Sequence, residues 1–118
     1  MEEKLRGELS VFISRTGGDV NAALLVRKDG LPVAAIAPGA DVKLISAISA
    51  LAMGALRRVG EELKSGAFKM SIISYESRNL LIYPVRDIYI VSLMSPEANL
   101  GLVLLEVEKL ARRLQEIL

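Results

Sequence analysis

The stretch that decides the fold is Asp41-Val-Lys-Leu-Ile-Ser-Ala-Ile-Ser-Ala-Leu-Ala-Met-Gly-Ala-Leu-Arg-Arg-Val-Gly-Glu-Glu-Leu-Lys64. Between Leu44 and Leu56 it carries no charge. A surface helix shows one apolar stripe and one polar one. This segment is apolar nearly all round, so it must be covered on more than one side. At about 100° per residue, Leu44, Ile45, Ile48, Leu51, Val59 and Leu63 fall on one broad face. Their bulk asks for a sheet beneath it. The opposite side carries Ser46, Ala47, Ala50 and Gly54, flanked by Lys43, Arg57 and Glu61. Small residues at i, i+4 and i+8 would let a second helix approach closely.

Outward from this helix, the preceding chain begins with a helix over Glu2 to Ser14, where Leu5, Leu9, Phe12 and Ile13 form one stripe. Gly17-Gly18 breaks it. The nearly continuous apolar run Val20 to Arg27 reads as a strand buried on both faces. Asp29-Gly30 then signals a hairpin, because both residues tolerate positive φ. Leu31 to Ala37 returns as a strand, and Pro32 marks it as an edge. Asp41 is the expected N-cap of the central helix, and Gly66 its left-handed stop.

After the helix come three strand candidates. In Ala67 to Tyr75, Phe68, Met70 and Ile72 alternate with Lys69, Ser71 and Ile73. Leu80 to Tyr83 follows a turn at Glu76–Asn79 and stops at Pro84, and Ile88 to Met94 is the last strand. Connections this short cannot cross over between parallel strands, so the three form an antiparallel meander. A final helix, with Asn99 as candidate N-cap, carries the stripe Leu100, Val103, Val107, Leu110, Leu114 and Ile117. The order is helix, two strands, helix, three strands, helix, with a length of 118 residues suiting one domain over 1–118.

Composition removes several function classes. Fifteen basic residues against fourteen acidic ones leave a formal charge of +1, without the basic field of a nucleic-acid binder. Neither cysteine nor histidine is present, so the commonest general base, thiolate nucleophile and transition-metal ligands are missing. No Gly-Lys pair occurs, which excludes a P-loop, and S-x-x-K is absent. The paired carboxylates Glu61-Glu62 and Glu106/Glu108 read as solvated helix faces. No catalytic residue, cofactor or metal site is expected. The charged N-terminus lacks a signal-peptide core, and the uncharged run of the central helix falls short of a membrane span, so a cytoplasmic protein is expected.

In its element order the chain resembles the roadblock/dynein light chain family, prokaryotic type. The resemblance is carried by Gly-Asp-Val-Asn-Ala-Ala-Leu-Leu-Val at 18–26, Lys-Asp-Gly-Leu-Pro-Val-Ala at 28–34 and the alanine-rich central helix. Ile-Tyr-Pro-Val at 82–85 and Asn-Leu-Gly-Leu-Val-Leu-Leu-Glu at 99–106 complete it. It implies an α+β fold, αββαβββα, of the profilin/longin-like sandwich type. The five-stranded antiparallel sheet would have the central helix on one face and the terminal helices on the other. It also implies a non-enzymatic homodimer, joined through the central helix and the strand after it, that scaffolds or regulates a small Ras-like GTPase.

On this reading the dimer contact comprises Ser46, Ala47, Ala50, Gly54, Phe68, Met70 and Ile72, and Lys43, Arg57, Arg58 and Glu61 surround a partner-docking surface. Pairing of the Ala67–Tyr75 strand with its copy would remove an exposed sheet edge. Arg57-Arg58 also admits an arginine-finger reading, although cations late in a helix suit its dipole without one. The alternative function is a small-ligand sensor of profilin-, longin- or GAF-like architecture. That would need an apolar pocket with convergent polar groups.

Overall fold

The computed structural model describes residues 1–118. The chain runs α1 (Glu2–Arg15), β1 (Val20–Arg27), β2 (Pro32–Ile36), α2 (Val42–Glu62), β3 (Ser71–Ser74), β4 (Asn79–Val85), β5 (Ile88–Met94) and α3 (Leu100–Ile117). All neighbouring strands are antiparallel, in the order β2-β1-β5-β4-β3. The two most apolar runs, β1 and β5, lie side by side at the centre, and Leu24, Leu25, Ile90 and Val91 are fully buried. A strand covered on both faces has no use for alternation.

Helices cover both faces, as expected for this α+β sandwich. On one side α1 and α3 bring Leu5, Leu9, Phe12, Val103, Val107, Leu110 and Leu114 onto Ala23, Leu25, Leu81 and Ile90. On the other, α2 brings Ala50 and Met53 onto Leu24, Val26, Ile82, Tyr89, Val91 and Leu93. The helices start where the sequence says they should. The Asp41 side chain accepts a hydrogen bond from the Leu44 N–H at 3.1 Å, and Asn99 does the same for Leu102 at 3.1 Å. Asp19, in the loop after α1, accepts from the Asn99 N–H at 2.9 Å and so ties the start of α3 to the end of α1.

The β1–β2 hairpin turns at Asp29-Gly30. Gly30 has φ +96, and a Cβ there would lie 3.3 Å from the Ala47 Cα of α2. Glycine therefore serves both the turn and the close approach of the helix.

Three boundaries differ from expectation. β4 continues through Pro84, which pairs with Tyr89 of β5. β3 reaches only as far as Ile82 on β4's other side, so the missing proline N–H falls where β4 is locally an edge. β3 itself is four residues, Ser71–Ser74, and residues 67–70 approach it as irregular chain. The stop of α2 is Lys64 rather than Gly66. Lys64 takes φ 54, its N–H bonds the Glu61 carbonyl at 3.0 Å, and the Ser65 N–H bonds the Gly60 carbonyl at 3.0 Å. This is the two-bond Schellman arrangement, with a lysine where glycine is preferred.

Candidate protein-interaction site

The largest correction concerns which face of α2 meets the sheet. The small residues are buried: Ser46 is fully inaccessible, and Ser49 and Ala50 are nearly so, together with Met53. The large ones point away, and Leu51 is 76% exposed, Leu63 69% and Ile48 56%. Leu44 and Val59 are also more than half exposed. The expected assignment of the two faces is thus reversed. The sheet already supplies bulk through Leu24, Val26, Ile82, Tyr89 and Val91, so the helix needs small side chains to settle close to it. Close packing requires large to face small across a contact. Only Ile45 of the large face joins this core, as a partly buried member.

Consequently Ser46 and Ala50 are unavailable to a second chain. Ala47 remains exposed at the surface but lies against Gly30, and Gly54 is half-buried with open space where a Cβ would be. Phe68 packs into the α2-side core with Ile73 and Leu80, all three half-buried. Met70 and Ile72 are exposed. Ile72 sits opposite Leu81, which belongs to the α1/α3 core, so it does not share a sheet face with Phe68. The alternation expected of Phe68, Met70 and Ile72 fails because the strand does not begin until Ser71.

The charged candidates also lie along α2. Lys43, Arg57, Arg58 and Glu61 are all at the surface. Arg57 Nη1 donates to the hydroxyl of the buried Tyr89 at 3.4 Å, which ties it back over the sheet. Arg58 Nε pairs with Glu62 one turn on, at 3.1 Å. From Ala55 to Ala67 every residue except the half-buried Gly60 is exposed. The last turns of α2 therefore run out with nothing packed on them, and Leu56, Val59 and Leu63 lie bare along them.

The sheet edges differ in kind. On β2, Pro32 lacks an N–H, and Arg6 of α1 donates to the Ala35 carbonyl at 2.6 Å. On β3, no chain lies on the outer side and no charged side chain stands between Ser71 and Ser74. One edge is dressed and the other bare. The bare one lies on the half of the sheet away from β1 and β2, over which α2 chiefly sits.

No group of three or more acidic side chains is placed to hold a metal, and no helix is long and apolar enough to cross a membrane. A cleft of about 600 Å³ between α1 and α3 is lined by ten residues of which three are hydrophobic. That is not the apolar pocket that a small-ligand sensor requires.

The fold is thus a sheet sandwiched by helices, with a long helix bare on its outer side and one open sheet edge. The family model of the Roadblock/LC7 domain matches residues 8–93, and the chain belongs to that family. Among curated relatives, the uncharacterized protein MJ0714 of Methanocaldococcus jannaschii is 28% identical over 116 residues, covering 98% of each chain. Among solved structures, Myxococcus xanthus MglB superposes with a TM-score of 0.90 at 17% identity, covering 97% of this chain and 94% of its own. An MglB with tetrameric arrangement reaches 0.88 at 20% identity, over 98% of this chain and 88% of that one. These structural likenesses show a shared fold.

Proposed function

We propose that the chain is a non-enzymatic homodimeric scaffold that binds a small Ras-like GTPase and modulates its nucleotide cycle or its location in the cytoplasm. Two observations support the dimer: the exposed apolar stripe Leu44, Ile48, Leu51, Val59 and Leu63 along α2, and the unpaired edge of β3. Monomeric proteins rarely expose so contiguous an apolar patch. In a two-fold pair, β3 would extend the sheet across the seam, and the two α2 helices would pack by their large faces. The same operator that brings i onto j brings j onto i, so Leu44 and Ile48 of one copy would meet Val59 and Leu63 of the other.

The GTPase partner is supported by membership of the roadblock family and by the likeness to MglB. Lys43, Arg57, Arg58 and Glu61 would border the docking surface formed when two α2 helices lie side by side. Such a scaffold would act only through a difference in affinity for the GDP and GTP states, because a ligand shifts only an equilibrium whose states it binds unequally.

The test has two arms. Sedimentation equilibrium gives the mass, and a monomer at micromolar concentration would end the dimer reading. Candidate Ras-like GTPases from the same genome, each loaded with GDP or a non-hydrolysable GTP analogue, are then titrated against the protein by calorimetry. Saturable binding that differs between the two nucleotides is the expected result. Failure of every such GTPase to bind in either state would refute the partner assignment.

A further inference from the structure

α1 and α3 lie antiparallel on the sheet face opposite α2: Asp19 beyond the end of α1 holds the start of α3, and Glu8 in mid-α1 meets Arg113 near the end of α3. The cleft between them has Phe12 and Leu110 at its base and the half-exposed Val11 on one wall. Its charges are not equivalent. Arg113 grips Glu8 through two nitrogens, with Nη2 donating to Oε2 at 2.8 Å. Glu106, buried apart from a small fraction, pairs with Lys109 at 3.4 Å. Those pairs consume two carboxylates and two cations. What remains is Arg15 on the α1 wall and Arg112 on the α3 wall, both exposed and without an acidic partner, against Glu116 alone.

We propose that this cleft is a docking groove for an acidic, amphipathic segment of a partner protein, with carboxylates on Arg15 and Arg112 and an apolar side chain against Val11. Arginine suits the task because its planar fork takes a carboxylate through two nitrogens. A phosphate backbone or an anionic membrane is a poorer fit, since the groove offers only two unpaired arginines, with Glu116 in the same lining carrying the opposite sign, and an apolar strip of Val11, Phe12 and Leu110 that a helix with one apolar face would cover. The groove lies on the opposite side of the sheet from α2, so it is independent of the dimer and of the GTPase assignment. A segment bound there could be carried on the scaffold without displacing anything from the α2 face.

The test is an NMR titration of the isotopically labelled protein with a short synthetic helical peptide of glutamate and leucine, with a lysine-and-leucine peptide of equal length as control. Saturable shifts confined to α1 and α3 are expected with the acidic peptide alone, weakening as salt is raised. Arg15→Glu/Arg112→Glu should weaken binding about tenfold or more, since two exposed pairs are lost and two repulsions gained. Lys69→Glu, before β3, should leave it unchanged. Both arginines are exposed, and a circular-dichroism melt checks that the double variant remains folded. Absence of saturable binding, equal binding of the basic peptide, or an equal loss in Lys69→Glu overturns the proposal.

Discussion

Replacing Leu51 by alanine probes the central claim, that the large-residue face of α2 is the seam between two copies. Leu51 is 76% exposed in the protomer. Full burial of a leucine side chain is worth about 1.5–3 kcal/mol, so covering the exposed three-quarters stabilises by roughly 1.1–2.3 kcal/mol per copy. A two-fold contact contains the residue twice, which makes the change in the dimer about 2.3–4.6 kcal/mol. At about 1.4 kcal/mol per decade this raises the dissociation constant roughly 40- to 2,000-fold. Analytical ultracentrifugation over a dilution series reads it directly. The variant protomer should keep its fold, because the side chain touches little within one chain.

Ser46→Ala supplies the opposing arm. The Ser46 hydroxyl is fully buried with no hydrogen-bond partner, and such a group costs about 1–3 kcal/mol. Its removal should stabilise each protomer by about 1 kcal/mol and leave the dissociation constant alone. If Leu51→Ala shifts the constant by less than threefold while Ser46→Ala shifts it strongly, the small-residue face is the seam after all and the assignment made here is refuted.

Three further outcomes follow from local geometry. Lys64→Gly should stabilise by about 0.5–1 kcal/mol in urea melts, because glycine occupies the left-handed stop without strain. Gly30→Ala should destabilise by about 1–3 kcal/mol, from positive φ and from the tight contact with Ala47 together, and an unchanged midpoint would show that the hairpin can shift. The Arg113 hydrogen bond holds the Glu8 carboxyl below its usual value of 4.5, with burial opposing and the charges of Arg113 and Lys4 assisting. A depressed acid contributes stability above its unfolded value and loses it as pH falls through the folded one. Glu8→Gln should therefore cost about 0.5–1 kcal/mol at pH 7, discounted for the exposed guanidinium, and the gap from wild type should close in melts taken below pH 4.5.

Much of this architecture is legible in the residues because local and tertiary signals agree. Asp41 and Asn99 cap, Asp29-Gly30 turns, and the apolar runs of β1 and β5 fall in the middle of the sheet. The faces of α2 were not legible by the same route. A helical wheel separates Leu44, Ile48 and Leu51 from Ser46 and Ala50, but it is silent on what each side meets. That depended on the size of Tyr89, Ile82 and Val91 across the contact, and the bulk of those strands was the signal to weigh. Lys64 is not legible as the stop because Gly66, two residues on and also at positive φ, offers the more familiar one. Arg15 and Arg112 each look like ordinary surface charges, and only the antiparallel packing of the two terminal helices places them on facing walls.

The unequal edges of the sheet bear on how far such molecules can associate. Were both edges open, each copy could recruit another on either side, and strand pairing would propagate into a ribbon of indefinite length. On the β2 side Arg6 already occupies the Ala35 carbonyl, so an added strand would have to displace it. In the proposed pair, growth through β3 would end after one step, because the partner would arrive with its own β3 used and with Arg6 in the way on β2. On that reading Arg6 works against further growth. If the proposed pair forms through β3, Arg6→Ala should shift it towards larger assemblies, read as added mass in sedimentation.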